Sequence, residues 1–144
     1  MPDCNTGSIS DLVRYRLAKA DENLAEANSL FVGQFYAGAN NRIYYSIFNA
    51  ILAVHALDQR TTNSHKRAIG EFNRIYIHGG IFPKEYSKEI TKIEVERHAS
   101  DYDNFYAANS EEALANYDFA KSFLADVKQY CKTRLPNQKP GAQQ

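Results

Sequence analysis

Phe35-Tyr36-Ala37-Gly38-Ala39-Asn40-Asn41-Arg42-Ile43-Tyr44-Tyr45-Ser46-Ile47-Phe48-Asn49-Ala50 is the stretch on which the fold turns. Tyr44, Ile47, Phe48, Ile51 and Val54 recur at the three- and four-residue spacing of one helix face. That spacing predicts a helix from about Gln34 to Leu57 with this stripe buried. Arg42, Tyr45 and Asn49 share a second stripe, polar within an otherwise apolar helix. An unpaired guanidinium is very costly to bury. Arg42 must therefore reach solvent, pair with a carboxylate such as Asp101 or Glu94, or meet a ligand.

The same periodicity recurs on both sides. Leu17, Ala20, Leu24, Ala27 and Leu30 or Phe31 predict a first helix from Ile9 to about Val32, capped by Ser10 and ended at Gly33. Asp58 to Asn63 is a polar connection. Ser64 caps a shorter third helix to about Ile77, stopped by His78-Gly79-Gly80, where glycine takes the left-handed conformation. Pro83 opens a fourth helix to about Ala107, at a position where its missing N–H costs nothing. Ser110, Glu111 and Glu112 start a fifth, with acidic groups at the positive end of the helix dipole. No segment alternates as a strand does. Short connections between amphipathic helices make neighbours antiparallel. The expected fold class is all-α, an up-and-down antiparallel bundle of about five helices. It spans residues 9–134, between a disordered N-terminal segment (1–8) and a disordered tail (135–144).

The chain of 144 residues, 44% apolar and 24% charged, suits one soluble domain with a real core. Its formal net charge is zero, so no overall basic field draws it to nucleic acid or an anionic membrane. Any such binding has to come from a local cluster. Ten tyrosines and eight phenylalanines with no tryptophan fit a tyrosine-rich core rim, a wet cleft or a subunit interface. No run is long enough to cross a bilayer, and residues 1–8 lack a signal-peptide pattern, so the expected location is cytoplasmic. Cys4 and Cys131 lie near opposite ends and would stay reduced there. His55, His65, His78 and His98 have no metal-ligand spacing, and no metal site is expected.

The fourth helix carries Arg97-His98-Ala99-Ser100-Asp101-Tyr102. Glu94, Arg97 and Asp101 fall on one stripe, and Val95, His98, Ala99, Tyr102 and Tyr106 on a more apolar neighbour. Arginine four residues before aspartate is the less favourable order for a local pair. These side chains therefore point toward another helix, another subunit or a ligand. Two helices that each set an arginine and a tyrosine beside the core suggest a shared polar cleft of Arg42, Tyr45, Arg97, Asp101 and Tyr102. Between them, His65 and Lys66 follow the Ser64 cap, where free backbone N–H groups and basic side chains suit a phosphate. A solvated basic turn is the plainer alternative. His98 reads as a packed or interface histidine.

The order of these motifs resembles the HEPN family (higher eukaryote and prokaryote nucleotide-binding domains). Its small stand-alone bacterial and archaeal members read A-x-N-R-x-Y-Y-x-x-F, then H-K, then R-x-x-A/S-D-Y. Residues 39–48, 65–66 and 97–102 match these in turn, and the resemblance runs from about Ile9 to about Arg134. It implies the same helical bundle and a homodimer. A nucleotide or RNA is the implied ligand and a minimal nucleotidyltransferase the implied partner, with no cofactor and no membrane. The ligand-binding candidates are Arg42, Tyr45, His65, Lys66, Arg97, Asp101 and Tyr102.

Many members of that family are toxin ribonucleases in which a histidine follows the arginine by four to six residues. Arg97 matches the arginine, but Asp101, Tyr102 and Asp103 fill that window and His98 is out of register. Metal-independent RNA cleavage needs a base near the 2′-hydroxyl and positive charge near the phosphate. Arg97 and Arg42 supply charge, and His65 is the substitute base, so Arg97 and His65 are the catalytic candidates. Three functions stay open. One is an accessory or toxin–antitoxin-like protein that binds a nucleotide, RNA or a nucleotidyltransferase in a cleft at a homodimer interface. The others are a divergent metal-independent ribonuclease toxin, and a dimerisation module whose polar residues only fix helix register.

Overall fold

A computed structural model describes residues 3–135, with side chains from Ile9 onward. It contains five α-helices: α1 Asp3–Val32, α2 Tyr36–Leu57, α3 His65–Phe72, α4 Glu85–Tyr102 and α5 Ser110–Arg134, and no strand among the described residues. The backbone of α1 is helical from Asp3, so residues 3–8, expected as disordered, continue the first helix instead. Residues 1–2 and 136–144 lie outside the described residues, and with them most of the expected tail.

The central helix is α2. Fourteen of its 22 residues are buried, because α1, α3, α4 and α5 all pack on it. A helix enclosed this way must be apolar nearly all round, and Tyr44, Ile47, Phe48, Ile51 and Val54 are buried as the periodicity demands. The polar residues it does bury are each bonded. Ser46 donates to the Ala20 carbonyl at 2.9 Å and Asn49 to Asn23 Oδ1 at 2.9 Å, which locks α2 to α1.

Chain reversals follow one pattern. At the end of α1, Phe35 N–H donates to Leu30 O and Gln34 N–H to Phe31 O, with Gln34 at φ 70°. This is a Schellman motif. Gly33, expected to stop the helix, precedes the left-handed residue. Gln59, at φ 56°, ends α2 the same way. Ser64 caps α3 as expected, accepting from Arg67 N–H at 3.2 Å. The third helix then widens into a π turn, Asn73–Ile77, with His78 N–H bonded five residues back to Asn73 O. Gly79 and Gly80 end it: a Cβ on Gly79 would lie 2.1 Å from Ile75 O, and Gly80 sits at φ 89°.

Other boundaries differ from expectation: Ser10 lies inside α1 rather than capping it, and α4 begins at Glu85, two residues after Pro83. α4 stops at Tyr102 rather than near Ala107, where the Asp103 carboxylate accepts from Phe105 N–H and turns the chain out of the helix. α5 is capped by Asn109 rather than Ser110, through a 2.9 Å bond from Glu112 N–H. At the far end, Asp58 after α2 accepts from Tyr76 of the π turn and from Arg134 at 2.7 Å, clamping the last turn of α5.

Candidate functional site

The central position of α2 decides which of its side chains can leave the core. Positions 41, 42 and 45 are half-buried, and their side chains reach partners on α1 and α4. Arg42 is held by its neighbour Asn41, whose Oδ1 accepts from Nε at 3.0 Å and from Nη2 at 2.6 Å. Its ion pair is with Glu26 on α1, at 3.2 Å. The expected partners, Asp101 and Glu94 on α4, are not the ones it takes. The reason is geometric: α1 lies along α2 for most of its length, so a carboxylate on α1 is nearer. Both ions are about two-fifths exposed. Such pairs are worth roughly 0–1 kcal/mol, so this one orients Arg42 more than it stabilises the fold. Glu26 is itself held below its ordinary pKa, chiefly by Asn23 and then by Arg42.

Arg97 approaches the same tyrosines from α4. Its guanidinium carbon lies 4.3 Å above the Tyr44 ring and 5.9 Å from the Tyr45 centroid, while that of Arg42 lies 5.5 Å from Tyr45. The two cations thus converge on one aromatic side chain. Asp101 accepts from Arg97 Nη1 at 3.5 Å and more closely, at 3.0 Å, from Asn41 on α2. Good charge-assisted bonds run at about 2.7–2.9 Å, so Asp101 only loosely engages Arg97. Arg97 Nε is buried and has no hydrogen-bond partner among the described residues.

His65 completes the cluster. Its ring stacks on Phe48 at 4.0 Å, meets Tyr45 edge-on at 5.9 Å, and its Nδ1 lies 3.1 Å from the Tyr44 hydroxyl. Partial burial, and then Arg97, lower the His65 pKa against the opposing pull of Glu94. Burial and Glu94 push the Tyr44 phenol up to about 12 against Arg97, so it stays protonated at neutral pH.

Of the sequence candidates, Arg42, Tyr45, His65, Arg97 and Asp101 come together. Tyr102 does not join them directly. It is 69% exposed, packs its ring against His98 at 4.9 Å, and shares with Arg97 an open depression of about 530 Å³ on α4. Lys66 is exposed, with no ion pair among the described residues. Three members were missed: Glu26, Asn41 and Tyr44. Asn41 and Tyr44 lie inside the motif that drew attention to Arg42, and Tyr44 was read as core only. Glu26 gives no local signal, because its role depends on how α1 docks. Among the described residues no group of three or more potential metal ligands occurs. No described helix is long and apolar enough to cross a membrane.

A helical bundle that brings arginines from its second and fourth helices to one tyrosine-lined face fits the HEPN resemblance seen in the sequence. The family comparison agrees, with the HEPN domain matching residues 13–130, and the chain belongs to this family. It is similar to a protein of Methanocaldococcus jannaschii named "Putative toxin MJ0142", at 26% identity over 79% of this chain and 78% of that protein. It is also similar to a UPF0332 protein of Thermotoga maritima, at 25% identity over 81% of this chain and 89% of the relative.

Proposed function

We propose that this chain is a toxin–antitoxin-like HEPN protein whose Arg42–Tyr45–Arg97–His65 face binds the phosphate of a nucleotide or RNA. One observation carries this. Arg97 is drawn over Tyr44, is only loosely engaged by Asp101, and keeps a buried Nε without a partner. A purely structural arginine would be expected to find a tight carboxylate, because an unmet donor of this kind costs stability. The toxin name of the Methanocaldococcus relative supports the same class.

The cleft is completed by a second copy of the chain. Val95 and Tyr102, which line the depression that Arg97 also lines, are 61% and 69% exposed, and Phe105 just beyond α4 is 99% exposed. Such apolar exposure beside a polar site suits a subunit interface. A minimal nucleotidyltransferase is the protein partner that this assignment expects.

Titration of an RNA oligonucleotide into wild type and Arg97→Ala tests the proposal. Wild type should bind, and Arg97→Ala should fold, dimerise and lose binding. Equal binding by the two proteins would overturn it. A ribonuclease role is favoured by a separate observation, the depressed pKa of His65 beside Arg97. It requires the tautomer in which Nδ1–H donates to Tyr44, leaving Nε2 to take the 2′-hydroxyl proton. RNA cleavage lost in His65→Gln would support that role, and an absence of cleavage by wild type would remove it.

A further inference from the structure

A second concavity adjoins the site and shares His65 with it. This groove of about 320 Å³ runs between the first half of α1, the outer face of α2 and the 61–64 loop. Leu12 and Leu52 give it apolar surface, the exposed His65 ring covers the buried Phe48 at its edge, and Arg16 and Arg60 also line it. Among the described residues no carboxylate lines it. In a chain of zero net charge, two arginines beside apolar surface are a local concentration of positive charge.

The arginines are under-used. Arg16 donates to the side-chain oxygen of Asn49 at 3.2 Å, a neutral acceptor, and has no ion pair among the described residues. Arg60 has its Nε buried without a hydrogen-bond partner among the described residues. The nearest acid acting on it, Asp58, is already engaged by Arg134 and Tyr76. The groove thus offers the exposed His65 ring and aliphatic surface beside cations whose donors are not all satisfied within the described residues. Stacking surface combined with backbone-seeking cations is how single-stranded nucleic acid is held without base-specific contacts.

From these features we infer that the groove is a subsite for a neighbouring nucleotide, so the ligand is a single-stranded oligonucleotide rather than a mononucleotide. This rests on the phosphate site proposed above. His65 stands between the two: its ring stacks on Phe48 in the groove wall and touches the Tyr44–Tyr45 pair under Arg97. A chain with one phosphate at Arg42 and Arg97 would lay its next base against the exposed ring of His65 and the side chains of Leu12 and Leu52.

The test is a calorimetric titration with adenosine monophosphate and with 5′-phosphorylated adenylate dimers and trimers, at fixed salt. Wild type should gain about tenfold or more in affinity from monomer to trimer, as expected for an added stacked base. Leu12→Glu adds a carboxylate to the groove at a site already 41% exposed, so the fold tolerates it. Leu12→Glu and Arg60→Gln should both lose the gain with length and keep monomer affinity, whereas Arg97→Ala should lose both. Monomer binding without a gain in wild type, or a gain that survives both groove variants, would overturn the subsite and leave the phosphate site standing. No binding at any length would overturn both.

Discussion

At the scale of single residues, Arg97 stands between two roles whose energies differ. A buried pair broken on one side costs roughly 3–5 kcal/mol, but the Arg97–Asp101 contact is long, at 3.5 Å. The main stabilising contact of Arg97 is with the Tyr44 ring, at most about 1–2 kcal/mol for a partly desolvated cation–π pair. Arg97→Ala should therefore lower stability by about 1–2 kcal/mol and Asp101→Asn by less than about 1 kcal/mol. Urea denaturation of both variants checks this, and a loss above 3 kcal/mol in each would make the pair structural. His65 gives a pH signature. Its folded pKa lies below the ordinary 6.5, so the unfolded chain takes up its proton first as pH falls. Stability is then present above that value and declines as pH falls through it. The carboxylates Glu26 and Asp58, whose pKa values are also lowered, lose their contribution only in more acidic solution. Chemical denaturation between pH 5 and pH 8 should show a slope that His65→Gln removes. Arg42, Tyr45 and Arg97 were legible in the sequence because each is a polar group on a stripe beside apolar ones, and His65 because it follows the Ser64 cap at a helix start. The partner of Arg42 was not, since Glu26 is identified only by the docking of α1 on α2.

At the scale of elements, amphipathic spacing made all five helices readable, and the glycine pair after the π turn marked its stop. The Schellman ends of α1 and α2 were hidden, because glutamine carries no preference for the left-handed region and the hydrogen bonds alone define them. A buried amide relay was also invisible. Asn116 on α5 donates to Asn40 on α2 at 3.3 Å and to Glu96 on α4 at 2.7 Å, while Lys92 donates to its oxygen at 2.9 Å. Asn40 in turn donates to Ser100 at 3.2 Å. Spacing along one helix cannot reveal that asparagines on two others will meet. This relay ties α5 to α4, the helix that holds Arg97. Asn116→Ala should destabilise by about 1–3 kcal/mol, the cost of leaving buried polar groups unmet. Its α4 amides should exchange with deuterium faster than in wild type. Unchanged exchange there would mean that packing on α2 alone fixes the helix.

At the scale of the whole molecule, the dimer proposed above rests on the exposed apolar edge of α4. Val95→Glu with Phe105→Ser should convert a dimer to a monomer in sedimentation equilibrium at micromolar concentration without loss of helicity. A wild type that sediments as a monomer would remove the shared cleft and leave each Arg97 facing solvent alone. The clamp at the other end of the bundle bears on synthesis. Asp58 and Arg134 are 76 positions apart, and α5 covers both α1 and α2. At about 5–20 residues added per second, the ribosome holds α1 and α2 uncovered for several seconds after Asp58 has been made. During that interval the nascent chain shows the inner faces of its first two helices to whatever chaperone is near. Arg42 of α2 is already present then, but the bundle that positions it has not yet shut.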